Sequence, residues 1–220
     1  MPGATFLRSD RLTFCTVEND DADIELLQRV HNDPEFRERL LFRYPQSREE
    51  IESLVESTEA EDDRLDPLVC VNEEPVGSTS LFDIRQGDHA TLAYWLLPEH
   101  RGASYGTEAA ALLIDHVFRT LGLHRVLAWT IGYNEASQAL LRRLSFTHEG
   151  TFREHVFRAG STTTPNTTVC WPRSGTVSKP SSTFGRRLLV VASEAVGGIG
   201  AFRRRNLLPT ILPTDSLVPT

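Results

Sequence analysis

The stretch Tyr94–Thr107, YWLLPEHRGASYGT, compresses a β-prone run, a proline stop, a small-residue loop and the head of a long helical pattern into fourteen residues. A loop of this kind at a helix head turns several backbone N–H groups toward one point, at the positive end of the helix dipole. Physically it is a cradle for a pyrophosphate or similar anion. The plainer reading is that Gly102 and Gly106 only make a tight turn. Short glycine-containing loops match such patterns by chance, so the surroundings decide.

Downstream, Ala110, Leu113, Ile114, Val117, Phe118 and Leu121 recur at helical spacing and predict a helix from about Thr107 to Leu121, which Gly122 ends. Arg125–Ile131 reads as a strand, Asn134 as the cap of a helix to Leu144, and Thr147–Phe157 as a further strand. Upstream, His89–Leu97 is a strand, and Pro67–Val71 with Val76–Asp83 form a hairpin around Asn72–Pro75. Before an acidic loop at Glu59–Asp66 come Leu12–Val17 as a strand and a helix over Asp20–His31. Asp33-Pro34 opens another helix at Glu35–Leu41. Ser47 with Glu50 makes a capping box for a helix that buries Ile51, Leu54 and Val55. This order predicts an α/β fold of the mixed α+β kind, a mostly antiparallel sheet flanked by helices.

Composition agrees and narrows the function. The 220 residues are 40% hydrophobic, enough for one domain with a full core plus an appendage. The net charge of −7 is uneven: residues 1–160 hold 28 acids against 16 arginines and no lysine, whereas 161–220 hold 2 acids against 7 bases. So acidic a body gains nothing from counterion release, which excludes nucleic acid and anionic membrane as partners. Cys15, Cys70 and Cys170 are odd in number and widely spaced, giving neither a disulfide framework nor a zinc cluster. With no leader pattern in Met1–Asp10, the expected compartment is the cytoplasm. The longest apolar run, Leu188–Phe202, is broken by Glu194 and too short to span a bilayer. His89, His100, His124, His148 and His155 lack metal-ligand spacing, so no metal is expected. Trp95, Trp129 and Trp171 read as packing residues.

Taken with Gly132-Tyr133-Asn134-Glu135-Ala136-Ser137, the loop Arg101-Gly102-Ala103-Ser104-Tyr105-Gly106 resembles the signature of the GNAT superfamily of acetyl-CoA-dependent N-acetyltransferases. Gly77–Phe82, Leu121–Val126, Leu144–Gly150 and Arg153–Gly160 support the likeness. It spans residues 1 to about 160 and is nearest to the branch of ribosomal-protein N-terminal acetyltransferases. The resemblance implies that Arg101, Gly102, Ala103, Ser104, Tyr105, Gly106 and Thr107 hold the pyrophosphate of acetyl-CoA, the co-substrate. It implies that the strands at 89–97 and 125–131 splay apart, so that backbone groups near Trp95, Leu96 and Leu97 pair with the pantetheine arm. A strand N–H would then stabilise the oxyanion of the acyl-transfer intermediate. Asn134 corresponds to a position that contacts the cofactor arm, and Ser137 to a hydroxyl near the sulfur that protonates the departing thiolate. The plainer reading of both is a helix cap and a first-turn polar residue. For the base that takes the amine proton, Glu154 is the first candidate and Glu99 the second.

Two glycines of the family pattern are serines here, Ser104 in the loop and Ser145 in the Leu-Gly-Phe turn. At Ser104 a Cβ crowds the phosphate or demands an awkward φ, while its hydroxyl can donate one hydrogen bond, so weakened rather than abolished cofactor affinity is expected. The implied reaction is direct acetyl transfer to a primary amine, either a protein N-terminus or a small molecule such as a polyamine, an aminoglycoside or an amino acid. A non-catalytic acyl-CoA-binding domain is the third option. The protein is expected to be a monomer or homodimer.

The likeness stops at Gly160, where the family continues into a last strand between those at 125–131 and 147–157. Restoring one G before Ser161 lets Ser161–Val177 read Glu-Tyr-Asp-Asp-Thr-Lys-His-Tyr-Gly-Val-Leu-Ala-Ala-Glu-Trp-Asp-Arg, with Leu and Ala forced by the codons of Cys170, Trp171 and Pro172. That looks like the family's ending. Residues 161–220 are therefore a frameshift product, or else a genuine Ser/Thr/Pro-rich, disordered extension with a basic segment. If shifted, Leu188–Thr220 has no selected fold, yet Thr162–Trp171 is β-prone enough to occupy the last strand position.

Overall fold

The computed structural model describes residues 3–59 and 62–152, and the backbone of Thr167–Pro172. Strands β1 (Thr5–Arg8) and β2 (Thr13–Cys15) precede helices α1 (Asp21–Asn32), α2 (Pro34–Leu40) and α3 (Arg48–Glu59). Then come β3 (Leu68–Val71), β4 (Glu74–Phe82), β5 (His89–Leu96), a short 3-10 turn at Pro98–His100, α4 (Tyr105–Arg119), β6 (Arg125–Thr130), α5 (Glu135–Arg143), β7 (Phe146–Phe152) and β8 (Thr167–Pro172). The sheet runs β1-β2-β3-β4-β5-β6-β8-β7. Among the described strands only β5 and β6 pair in parallel; the other pairs are antiparallel.

The expected caps hold the early helices. Asp33 Oδ1 accepts from the Glu35 and Phe36 N–H groups. Ser47 and Glu50 exchange backbone-to-side-chain bonds, the Ser47 N–H donating to Glu50 and the Glu50 N–H to Ser47 Oγ. Alternation then sorts the strands between two layers. Val69 joins Ala110, Leu113, Ile114 and Val117 of α4 in the main core, while Leu68 and Cys70 pack with Leu26 of α1 on the opposite face. Ile24, Ile51 and Val55 lock α1 to α3 on that side.

Several boundaries differ from the sequence reading for local reasons. The β3–β4 hairpin turns on two residues, Asn72 and Glu73, both left-handed at φ 50 and 69, so the strand begins at Glu74 and includes Pro75. This is the two-residue loop whose twist matches the flanking strands. The strand Thr5–Arg8, too short to stand out in the pattern, pairs with β2 at the sheet's end. Helix α4 begins two residues before Thr107 because the left-handed residue that starts it is Ser104. β8 lies between β6 and β7, where the sequence reading put Thr162–Trp171, so the sheet continues past Gly160. The region in question after Pro172 lies outside the described residues. Among the described residues no helix is long and apolar enough to cross a membrane.

Candidate active site

Pairing between β5 and β6 stops at Leu92–Ala128, while β5 stays paired with β4 as far as Leu96. On its other edge, β6 pairs with β8 over Ala128–Thr130. A wedge therefore opens between residues 93–96 of β5 and the end of β6. The Leu97 N–H donates to the Val76 carbonyl at 2.9 Å, which sets the phase of the strand. Alternation turns the main-chain groups of Trp95 and Leu97 toward β4, and those of Tyr94 and Leu96 toward the wedge. Leu96 is thus the expected residue that faces the opening with its backbone, and Tyr94 joins it. Trp95 contributes its ring instead, edge-on to Phe36 of α2 at 5.7 Å. Arg101 caps this end: its Nε donates to the Leu96 carbonyl at 3.2 Å and its Nη1 pairs with Glu35 at 2.5 Å.

The loop that follows delivers α4 to the same end of the wedge. Gly102 sits at φ 85, a conformation in which an L side chain is strained. Ser104, the N-cap, is also left-handed at φ 65, and its side chain makes no capping hydrogen bond. The helix head therefore keeps the N–H groups of Tyr105, Gly106 and Thr107 clear of any cap from Ser104, which is what an anion site requires. The awkward φ foreseen for a serine here is present, and Ser145 repeats it at φ 62. Since a left-handed L residue costs about 1–2 kcal/mol, part of which the greater chain entropy of glycine offsets, Ser104→Gly is expected to stabilise the protein by roughly 0.5–1 kcal/mol. Urea unfolding measures this, and calorimetry should show acetyl-CoA binding tightened several-fold.

At the head of α5, Asn134 Oδ1 accepts from the Ser137 N–H at 3.2 Å, so the capping role is realised. Ser137 Oγ shares a 2.7 Å hydrogen bond with the hydroxyl of Tyr94, which reaches it from β5. No local motif signals this contact, which joins residues 43 apart. Two residues past the last β5–β6 pair, the buried hydroxyl of Thr130 has no hydrogen-bond partner among the described residues. An orphaned buried hydroxyl where β6 has lost its pairing to β5 suits a polar chain laid along the wedge.

The candidate bases fare differently. Glu99, on the turn after β5, is half-exposed and ion-paired to Arg29 at 3.2 Å; its own backbone N–H, and then that guanidinium, hold its carboxyl below the usual range. Glu154 lies outside the described residues. Cys15 and Cys70 are buried and free. Burial, with Cys15 nearby, pushes the Cys70 thiol up to about 12, and burial raises Cys15 as well. Both stay protonated at neutral pH and cannot serve as acyl-accepting nucleophiles. Among the described residues no group of three or more His, Cys, Asp or Glu side chains is placed to hold a metal ion.

Comparison with known proteins agrees with this geometry. The sequence pattern of the acetyltransferase (GNAT) domain matches residues 11–147. The p20 N-acetyltransferase of Bacillus licheniformis is 31% identical over 155 residues, covering 68% of this chain and 86% of that protein. Among solved structures, the RimL ribosomal L7/L12 alpha-N-protein acetyltransferase in complex with coenzyme A superposes with a TM-score of 0.67 at 20% identity, over 78% of this chain and 98% of that one. A spermidine N-acetyltransferase from Vibrio cholerae, in complex with CoA and spermine, gives 0.64 at 20% identity, over 74% and 94%. The pattern covers more than half of the chain and the first relative two thirds of it, so the protein belongs to the GNAT family and is an N-acetyltransferase.

Proposed function

We propose that the chain transfers acetyl from acetyl-CoA directly to a primary amine, and that the acceptor is the amino terminus of a protein. The observation that carries this reading is the coincidence of the β5–β6 wedge with the uncapped head of α4. An extended amide chain fits the first and its pyrophosphate the second. Acetyl-CoA supplies the activated thioester. Main-chain groups of Leu96 and Tyr94 pair with the arm, and Arg101 to Thr107 receive the phosphates. Ser137 donates a proton to the departing sulfur, and Asn134 orients the first turn that carries it. An N–H of β5 facing the wedge is the donor to the developing oxyanion. The amine proton goes to a carboxylate through water, with Glu154 and Glu99 as the candidates.

The protein acceptor rests on the likeness of Ser137 and its surroundings to the ribosomal-protein branch. A polyamine acceptor is the second reading, favoured by the spermidine acetyltransferase among the structural neighbours and by the acidic surplus of residues 1–160. Mass spectrometry of peptides incubated with the protein and acetyl-CoA should reveal N-terminal acetylation; exclusive modification of polyamines would move the assignment to the second. Binding without turnover on either panel would make the chain an acyl-CoA sensor. In the same assay Ser137→Ala is expected to lower kcat about ten-fold or more, with acetyl-CoA binding retained.

The abrupt change after Gly160 supports a one-base slip, with residues 1–160 carrying the acetyltransferase domain and Thr167–Pro172 filling the strand place that the shifted tail left open. A chain with the restored frame should unfold at a higher temperature than this one. A sequencing trace across the Gly160 codon that shows no missing base would refute the slip.

A further inference from the structure

The hydrogen bond between Tyr94 and Ser137 has a chemical use that neither residue has alone. A serine hydroxyl is too weak an acid to protonate a thiolate at neutral pH unless its oxygen is re-supplied with a proton as its own leaves. A phenol, with an ordinary pKa of about 10, lies close to a thiol at about 8.5, and near-matched acids exchange protons efficiently. Tyr94 holds such a phenol 2.7 Å from Ser137 Oγ, and the backbone at Tyr94 borders the wedge. The Ser137 N–H is bound to Asn134 Oδ1, which fixes the turn carrying the hydroxyl. Both side chains are half-buried, so bulk water does not replace the phenol freely.

We infer that Tyr94 is a positioning residue that acts through Ser137 as the proton reservoir for the leaving thiolate. This rests on the proposed acetyl transfer. As the C–S bond breaks, its electron pair stays on sulfur, Ser137 O–H gives its proton to that sulfur, and Tyr94 O–H gives its proton to Ser137 Oγ. The resulting tyrosinate regains a proton from water, which meanwhile carries the one lost by the acceptor amine. Charge and protons balance with no further reactant.

The test is a double-mutant cycle with wild type, Tyr94→Phe, Ser137→Ala and the double variant, reading kcat and KM against pH and acetyl-CoA binding by calorimetry. Tyr94→Phe is expected to lower kcat about ten-fold, to leave acetyl-CoA affinity within about two-fold, and to abolish the alkaline fall of kcat that the wild-type phenol imposes. Added to Ser137→Ala it should cost nothing more. Wild-type kcat in Tyr94→Phe, an equal loss in both backgrounds, or a loss confined to KM would overturn the relay. If Tyr94→Phe fails to fold, a fluorinated tyrosine at position 94 keeps the packing and acidifies the phenol, so the alkaline limb should move to lower pH; an unmoved limb refutes the idea. A wild-type protein that binds acetyl-CoA and acetylates no amine defeats the transferase reading itself, a result distinct from an active enzyme indifferent to Tyr94.

Discussion

Gly77→Ala is expected to destabilise the protein by about 3 kcal/mol, a large share of a typical domain's stability. A Cβ at this position would stand 2.2 Å from the Trp95 carbonyl oxygen and 2.7 Å from Leu96 Cδ2. The leucine methyl can rotate away; the carbonyl is backbone and cannot. Strand β4 must then back off from β5, straining the Leu97 N–H bond to Val76 and shifting Leu96, whose main chain faces the wedge. Stability and cofactor binding should therefore fall together. The checks are urea denaturation and acetyl-CoA calorimetry on the same sample. An unfolding free energy within 0.5 kcal/mol of wild type, a difference typical of neutral surface changes, would mean that the hairpin yields locally.

Arg11→Ala should give the second large effect, from the opposite side of the same loop. The carboxylate of Glu108, in the first turn of α4, is only 4% exposed. It accepts from Ser9 Oγ at 2.7 Å and from Arg11 Nε at 2.8 Å, while Arg11 Nη2 closes the ion pair at 2.5 Å. Arg11 Nη1 also donates to the Ala103 carbonyl at 3.2 Å, and the guanidinium lies 5.1 Å over the Tyr105 ring. Removing Arg11 strands a buried charge, a loss of roughly 3–5 kcal/mol in a closed interior. Because the Arg11 side chain is 44% exposed, water compensates part of it, and about 2 kcal/mol is the expected cost. Loss of the tie to Ala103 should raise KM for acetyl-CoA several-fold as well. Combining Arg11→Ala with Glu108→Gln should restore part of the stability without restoring KM, a separation that unfolding and steady-state kinetics read independently.

What the sequence disclosed follows the range of the interactions. Asp33, Ser47 with Glu50, and Asn134 cap backbone groups two or three residues away, and a local pattern suffices to read them. The left-handed strain at Ser104 and Ser145 was legible because a glycine pattern stood beside a serine. Arg11 with Glu108 and Tyr94 with Ser137 are 97 and 43 residues apart and meet only through the sheet's order. Neither pair has a periodicity to betray it. The phase of β5 was also hidden, since which alternate carbonyls face a neighbour depends on register. Trp95 and Leu97 thus turn their backbones to β4, and Tyr94 takes a place beside Leu96 at the opening.

The position of β8 has a consequence for the order of events on the ribosome. Among the described strands β7 reaches the rest of the sheet only through β8, and β6 finds its second neighbour over Ala128–Thr130 in the same strand. While the nascent chain lacks Thr167–Pro172, β6 and β7 each present unpaired amides to solvent, an invitation to pair with another copy. Completion of this half of the sheet therefore waits for the last strand to emerge, a late and long-range event in translation.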